Sequence, residues 1–460
     1  MTRRLVASSL TLVLFLAGMS PHARADEPKS PPAPTPASAP AVAPAANRAE
    51  LPGPAGQKTL SLAEALDKFR SQNLELAAQR FEVSAVRADI LGAGLLANPQ
   101  ISAAGAFVLH GAPSGGQSEL YLSVSQNAPI AGQLGLRRDA ARGFASAAER
   151  DFSAAAWQLA SDVRLAYLDL QLAQARYAVI ATASQDLARV KNVIAERVGA
   201  GANPQYDRVR VSVEQSALLE KRTEAEAALY AARVALAQTI GKDVVALTLV
   251  ADDLSGDAPD VPQDARALVA EGLSRRSEVA AAQARIAASD LRIESAKRAV
   301  VPSPDLSLGY SHFFAIPGAT GPVSGGALTA GISVPLPLFD RGQGTVGRSQ
   351  AEAEAQRVRA QRTTVGIARE VEAAHATALA RVATWKSFRD TVAPEVERMR
   401  QMAEVAYREG RATILELLDA YSTYLDARTR TVDLRGAAFR AHLTLDRAVG
   451  PAVPSSIAKP

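Results

Sequence analysis

Apolar residues return at heptad spacing along two long stretches of the chain. In 133–200, which contains no proline, Val163, Leu170 and Tyr177 lie seven apart, and so do Ile180, Leu187 and Ile194. This spacing predicts a coiled-coil seam rather than a globular core. At 1.5 Å per residue the helix would be roughly 100 Å long, more than one compact domain can bury. A second long helix is predicted over about 343–409, with Trp385, Val392 and Met399 at the same spacing.

Between the helical stretches the period changes to two. Ile101, Ala103, Gly105 and Phe107 alternate with Ser102, Ala104 and Ala106, and Leu120, Leu122 and Val124 alternate with Tyr121, Ser123 and Ser125. Strands are therefore predicted at about 100–109 and 118–127, joined by a Gly/Pro/Ser loop. Leu306, Leu308 and Tyr310, then Leu328, Ala330, Ile332 and Val334, predict a second pair at about 305–314 and 327–334, around a glycine-rich loop at 318–326. Ser61 followed by Glu64 reads as a capping box opening a helix to about Leu96, and a further helix is expected from about Asp264 to Val300. Gly201 suits a helix C-terminus, and Asn203 with Pro204 suits the N-cap and first position of a return helix carrying Leu218, Ala225 and Ala232. Gly410 marks the second tip, followed by a return helix with Leu418, Leu425, Val432 and Phe439.

Laid side by side, the halves agree. Pro99 matches Pro304, Pro129 matches Pro337, Gly132-Gln133 matches Gly342-Gln343, Gly201 matches Gly410, and Asp207 matches Glu416. The chain is an internal duplication of helix, two strands, long helix and return helix. Its parts are a signal at 1–25, a leader at 26–58, repeats at 59–240 and 263–449 around a connector at 241–262, and a tail at 450–460.

Composition adds an address and removes some functions. Arg3 and Arg4, an apolar run to Met19 and Ala23-Arg24-Ala25 read as a secretory signal peptide, the apolar run being too short for a membrane span. Its loss lowers the formal charge from +4 to +1, so the basic balance does not argue for nucleic acid. Residues 26–56 are rich in proline and alanine and predict an extended leader. Cysteine is absent, so neither disulfides nor a thioether lipid anchor are expected. There is no Gly-x-x-x-x-Gly-Lys-Ser/Thr loop, and His110, His312, His375 and His442 are scattered, without a His-x-x-x-His pair. No enzyme, cofactor or bound metal is expected.

Four strands cannot close a transmembrane barrel, which needs at least about eight, and an open edge is not tolerated in lipid. Either several copies close one together, two giving eight strands and three twelve, or the strands form a small soluble sheet. A soluble periplasmic coiled-coil adaptor or scaffold is the rival reading; it would lack duplicated strand pairs.

The order of elements, Asn98-Pro99 before the first strand, 125–132 leading into a long helix, and the turns at 200–207 (AGANPQYD) and 407–419 (YREGRATILELLD) resemble the TolC-like outer-membrane efflux channels of Gram-negative bacteria over roughly 60–450. The resemblance implies a homotrimer in the outer-membrane lipid: a 12-stranded β-barrel continued by a 12-helix periplasmic α-barrel. The function it implies is a passive exit duct of a tripartite efflux system, working with a periplasmic adaptor (membrane fusion protein) and an inner-membrane pump of the resistance-nodulation-division type. By the same resemblance Glu416 and Asp419 ring the pore constriction, Tyr407 and Asp207 latch the tips, and Gly201, Ala202, Asn203, Gly410, Arg411 and Ala412 dock the adaptor. Where some members carry a second locking arginine, this chain has Ala412. Structural readings stand beside these: Thr413 and Glu416 form a capping box, and Asp207 sits in the first turn of its helix. The wording leans to the heavy-metal (cobalt-zinc-cadmium type) branch, with drug efflux and type I secretion as alternatives.

Overall fold

The computed structural model describes residues 59–107, 118–199, 204–242, 244–314 and 324–452. The signal peptide, the leader, the predicted hairpin loops, Gly201, Ala202 and Asn203 and most of the tail lie outside the described residues.

Each repeat begins with a helix that the sequence pattern predicts as one and the structure breaks in two. Ser61 opens α1 (Leu62–Gln72) with the expected capping box, its hydroxyl accepting from the Glu64 amide at 3.2 Å while Glu64 accepts from the Ser61 amide at 3.1 Å. The chain then turns extended at Asn73, whose Oδ1 accepts the Leu76 amide at 2.8 Å and so caps α2 (Leu74–Gly94). In the second repeat the break falls at Arg276, between α5 (Ala265–Arg275) and α6 (Ser277–Arg298).

The breaks occur because another helix ends there. The Asn73 side-chain Nδ2 donates to the Thr239 carbonyl at 2.8 Å, at the end of α4 (Gln205–Ile240). Gly241 follows with φ +144, and a Cβ on it would stand 2.4 Å from the Gln72 carbonyl oxygen, so only glycine fits this junction. In the second repeat Arg276 donates to the Ala448 carbonyl at 3.0 Å, at the end of α9 (Ile414–Val449). Thus α2 continues the column of α4 and α6 that of α9. The remaining columns are α3 (Gln133–Gly199), unbroken over 67 residues, and the second long helix. Near the strands the columns run α2, α3, α6, α7; farther away they run α4, α3, α9 and then α7 and α8.

The second long helix is not continuous. It is α7 (Gln343–Ser387), a π-turn (Phe388–Val392) and α8 (Ala393–Arg408). Trp385 is buried, but Val392 and Met399 are 41% and 38% exposed, so the predicted seam through those three residues is wrong. The inward row resumes at Ala393, Arg400 and Tyr407. The first long helix keeps its predicted seam: Val163, Leu170, Ile180, Leu187 and Ile194 are buried and Tyr177 is half-buried. The return helix α4 starts one residue later than predicted, with Pro204 at its N-cap rather than inside its first turn.

The strands β1 (Gln100–Ala106), β2 (Ser118–Asn127), β3 (Asp305–Phe314) and β4 (Ser324–Ser333) form one antiparallel sheet in chain order, the two hairpins joined through β2 and β3. β4 begins three residues earlier than predicted, taking in Gly325 and Gly326.

Candidate functional site

The sheet sorts its side chains by face. Ile101, Ala103 and Gly105 pair with Val124, Leu122 and Leu120, these with Leu308, Tyr310 and His312, and these in turn with Ala330, Leu328 and Gly326. On this apolar face Ile101 is 81% exposed and Leu328 76%. The opposite face carries Ser102, Ser123, Gly309 and Thr329 in one row and Ala104, Tyr121, Ser311 and Ala327 in the next. There Ser102 and Ser123 share a hydrogen bond of 2.6 Å.

Both ends of the apolar face are marked. Tyr310, His312 and Phe314 gather at the loop side of β3, the His312 and Phe314 rings 4.5 Å apart edge to face, with exposed Phe107 nearby in sequence after β1. At the helix side Ile130, Leu336, Leu338 and Phe339 are exposed. A ten-residue strand is about 34 Å long, and tilted by about 45° it spans about 24 Å of hydrocarbon. Among the described residues nothing pairs with the outer edge of β1 or of β4. No described helix is long and apolar enough to cross a membrane.

The helical layer has two unlike faces. On one, the connector is pinned to α3: the Tyr167 hydroxyl donates to the Leu60 carbonyl at 2.8 Å and accepts the Asp252 amide at 3.1 Å, while Gln171 and Gln174 donate to the carbonyls of Asp252 and Ala251. Half a helical turn round, Asp169 and Arg176 of α3 and Asp433 and Arg440 of α9 floor a groove of about 820 Å³. Ala225, Ala228 and Ala232 of α4 and Glu370, Thr377 and Arg381 of α7 flank it. Because the flanks are the outermost columns, the layer is concave on this side.

A ladder of ion pairs runs along the concave face. Asp162, Asp169 and Arg176, seven apart on α3, meet Arg447, Arg440 and Asp433, seven apart on antiparallel α9. The next member of the α9 row, Asp426, reaches Lys221 at 3.6 Å. The row ends one heptad further down, at Asp419, which is exposed and has no ion pair among the described residues.

Asp419 lies close to the tip, where α3, α4, α8 and α9 meet around Ile194, Val211, Ile414 and Leu417. Asp207 and Tyr407 are both buried, each 8% exposed, Tyr407 in that cluster and Asp207 in the first turn of α4. Gly410 turns the chain with φ +72, and Arg411 and Ala412 lead into α9. Glu416 closes a capping box with Thr413: its Oε2 accepts the Thr413 amide at 2.6 Å and the hydroxyl at 3.0 Å. These two bonds, the backbone one first, hold its carboxyl below the usual range. Glu416 is exposed and at work as a cap, whereas Asp419 is one turn farther along with no such engagement.

Two features escape the heptad reading. Arg400 occupies the inward row of α8, bound to Glu397 at 2.8 Å and Glu404 at 3.1 Å with its guanidinium 5.0 Å above the Tyr424 ring; the Glu397 carboxylate raises its pKa. His375 is buried and shares a 2.7 Å hydrogen bond with the Pro262 carbonyl, a packing role. Among the described residues no group of three His, Asp or Glu could hold a metal ion.

Residues 268–451 match the family model of outer membrane efflux proteins. The chain is 24% identical over 402 residues to the cobalt-zinc-cadmium resistance protein CzcC of Cupriavidus metallidurans, covering 85% of this chain and 90% of that one. Over 203 residues it is 31% identical to the pyoverdine export outer membrane protein OpmQ of Pseudomonas putida, 41% of this chain and 40% of the relative. The structure resembles that of CusC, whose crystal structures concern folding and transmembrane channel formation, with a TM-score of 0.69 at 18% identity over 86% of this chain and 93% of that one. The chain is thus similar to the outer membrane efflux proteins by family model over residues 268–451, similar to one relative along most of its length, and alike in fold to TolC-like channels over 86% of its length.

Proposed function

We propose that three copies of this chain form the exit duct of a tripartite efflux system in the outer membrane of a Gram-negative cell. The observation that carries this reading is the four-stranded sheet, whose apolar face is exposed and whose two edges are unpaired among the described residues. Three such sheets joined edge to edge give twelve strands, within the range of closed membrane barrels, and three concave layers of four columns give a twelve-helix cylinder beneath it. A length of roughly 100 Å along α3 suits a wall that crosses the periplasm. The concave face would then line the conduit, with the α3–α9 ladder paired along it and Asp419, without an ion pair among the described residues, toward the tip.

In this reading Asp419 forms the constriction with Glu416 beside it, favouring cations over anions. Tyr407 and Asp207 hold the tip hairpins together, and the turns at Gly201, Ala202 and Asn203 and at Gly410, Arg411 and Ala412 meet a periplasmic adaptor, which links the duct to an inner-membrane pump of the resistance-nodulation-division type. The unpaired acidic ring and the similarity to a cobalt-zinc-cadmium resistance protein support heavy-metal cations as cargo. The duct is passive, entered after export by the signal peptide and not held by a lipid on cysteine.

Fractionation of cells expressing the full chain, followed by mass measurement in mild detergent, tests the reading. A trimer that stays in outer membranes through salt and alkali extraction is expected. A soluble periplasmic monomer or dimer would overturn it in favour of a coiled-coil scaffold.

A further inference from the structure

Sulfur is scarce in this chain and gathered in one spot. There is no cysteine, and of the four methionines Met1 and Met19 fall in the proposed signal peptide, which leaves Met399 and Met402 to carry the only sulfur atoms of the exported protein. Both sit on α8, three residues apart, exposed by 38% and 71%. Methionine usually fills gaps in cores; here neither is buried. The π-turn at Phe388–Val392 is the reason. Pro394 has no amide hydrogen and its ring would crowd the Asp390 carbonyl in a regular helix, and the extra residue that relieves this turns α8 by about 100°. The buried row Val371, Ala378 and Trp385 therefore passes to Ala393, Arg400 and Tyr407 instead of through Val392 and Met399.

The rotation aims Met399 toward the concave side. The Arg400 guanidinium lies over the Tyr424 ring, and Tyr421 and Tyr424 share a groove with Asp253 and Leu254 of the connector, so this flank of α8 is the connector side. Glu404 and Arg408, about 40° and 80° round the helix from Arg400, line that side as well. Met399 is about 100° from Arg400 the other way, and Met402 about 60° beyond it. They turn toward the face that carries the ion-pair ladder and, at its end, Asp419. Counted from the turn at 410–412 at about 1.5 Å per residue, Met402 and Asp419 stand within about a turn of each other in height.

We propose that the Met399 and Met402 thioethers, with the Asp419 carboxylate nearby, form a transit site for a soft monovalent cargo cation, Cu(I) or Ag(I). A thioether is a soft, uncharged donor, suited to Cu(I) and its heavier congener Ag(I), whereas a divalent ion such as Zn(II) gains more from imidazole and carboxylate. On a helix, positions three apart set their Cβ atoms about 5–6 Å from one another, and the flexible side chains let both sulfurs turn onto one ion. Neither donor has to lose a proton first, unlike a thiol or an imidazolium. Two neutral donors hold an ion loosely, which suits a conduit where binding has to be weak enough to release, and the Asp419 charge adds attraction without ligation. This inference rests on the duct reading for the site's place in the conduit and names the class of cation that the conduit passes.

The test is calorimetric titration of Ag(I), as nitrate in chloride-free buffer, into the full chain purified in mild detergent, with Cu(I) competed against a colorimetric chelator without oxygen as the second probe. One Ag(I) per chain is expected. Met399→Leu and Met402→Leu keep size and apolar character and should each weaken binding by about tenfold, and the double variant should lose it. Asp419→Asn should weaken binding several-fold with the stoichiometry unchanged, an effect that fades in high salt. The heat of Zn(II) addition should not change in the methionine variants. A further readout needs no variant: Ag(I) should slow the oxidation of both methionines to sulfoxide by peroxide, followed by peptide mass. Ag(I) binding that survives in the double variant, or sulfoxide formation indifferent to Ag(I), overturns the inference. A trimer held in outer membranes that binds no Ag(I) overturns the site and leaves the duct reading standing. Ag(I) held by both sulfurs on a soluble monomer keeps the site and overturns the duct.

Discussion

The end of the ion-pair ladder gives the most demanding prediction. Asp162, Asp169, Asp426 and Asp433 each have a cationic partner, and Asp419 has none among the described residues. Replacing it by asparagine keeps size and hydrogen bonding and, in the proposed trimer, removes three negative charges. For a hydrated divalent cation about 6 Å from each carboxylate, Coulomb's law in water gives about 1.4 kcal/mol per copy, about 4 kcal/mol in all. Screening at physiological salt leaves roughly half, about 2 kcal/mol, or about 30-fold in affinity. The assay is divalent block of single-channel conductance in planar bilayers, with reversal potentials for ion selectivity. Asp419→Asn should weaken block about 30-fold at that salt and more at lower salt. Glu416→Gln should act several-fold less, because the helix N-terminus already offsets that carboxylate and glutamine still completes the capping box. The reasoning is refuted if an intact Asp419→Asn trimer keeps its block and selectivity, or if Glu416→Gln has the larger effect.

Thr413→Ala removes the cap of α9 and should loosen its first turn by about 1 kcal/mol, read as faster amide exchange there with the lower columns otherwise protected. Asp257 is held below its ordinary value near 3.8 by the Trp385 indole, which donates to it at 2.6 Å, and by Arg389. The depressed carboxyl adds stability that is full above its unfolded value and lost as pH falls through the folded one; Trp385→Phe should flatten that acid limb in thermal melts. Gly143→Ala would set its Cβ 2.7 Å from the Ala288 Cβ and lower stability by about 1–3 kcal/mol, with Ala288→Gly restoring it in the double variant. Arg276→Ala strips a buried guanidinium from Glu278, Glu370 and the Ala448 carbonyl, and should cost more in thermal melts than Asn73→Ala at the equivalent junction.

The architecture was legible because the chain states it twice. Val163 to Ile194 kept the predicted seam, and the alternation around Leu122 and Leu308 became two faces of one sheet. What misled was local plausibility. Ser61 to Leu96 contains no proline, so nothing local ends a helix at Asn73; the break answers to the end of α4, more than 160 residues away. Trp385, Val392 and Met399 are apolar and seven apart, yet Pro394 forces an extra residue between the first two and turns the others outward. The ladder was readable and missed for a different reason: Asp419, Asp426, Asp433, Arg440 and Arg447 are as regular as any apolar seam, but a search for apolar heptads passes over a charged row. The carboxylates were located in sequence, whereas their unequal engagement, Glu416 in a cap and Asp419 free of one, is a matter of hydrogen bonding that spacing does not contain.

The duplication also explains why the long column is needed only once per repeat. A second column of equal length is assembled from two shorter helices, and every such joint leaves the carbonyls of one helix end facing the start of another. The two repeats solve this with different chemistry at the same place: Asn73 donates an amide to Thr239, and Arg276 donates a guanidinium to Ala448 while two glutamates balance its charge. Asparagine can satisfy one carbonyl and cap one amide without burying a charge. Arginine reaches farther and ties α6, α7 and α9 together, at the desolvation cost of an ion in a site that leaves its side chain only 6% exposed. The joint that also carries the column above α9, and with it the ladder and Asp419, is the one built on the longer, charged side chain. In the proposed duct, slippage in that column would shift the height of Asp419 relative to the sheet, whereas slippage in the column that ends at α4 would not.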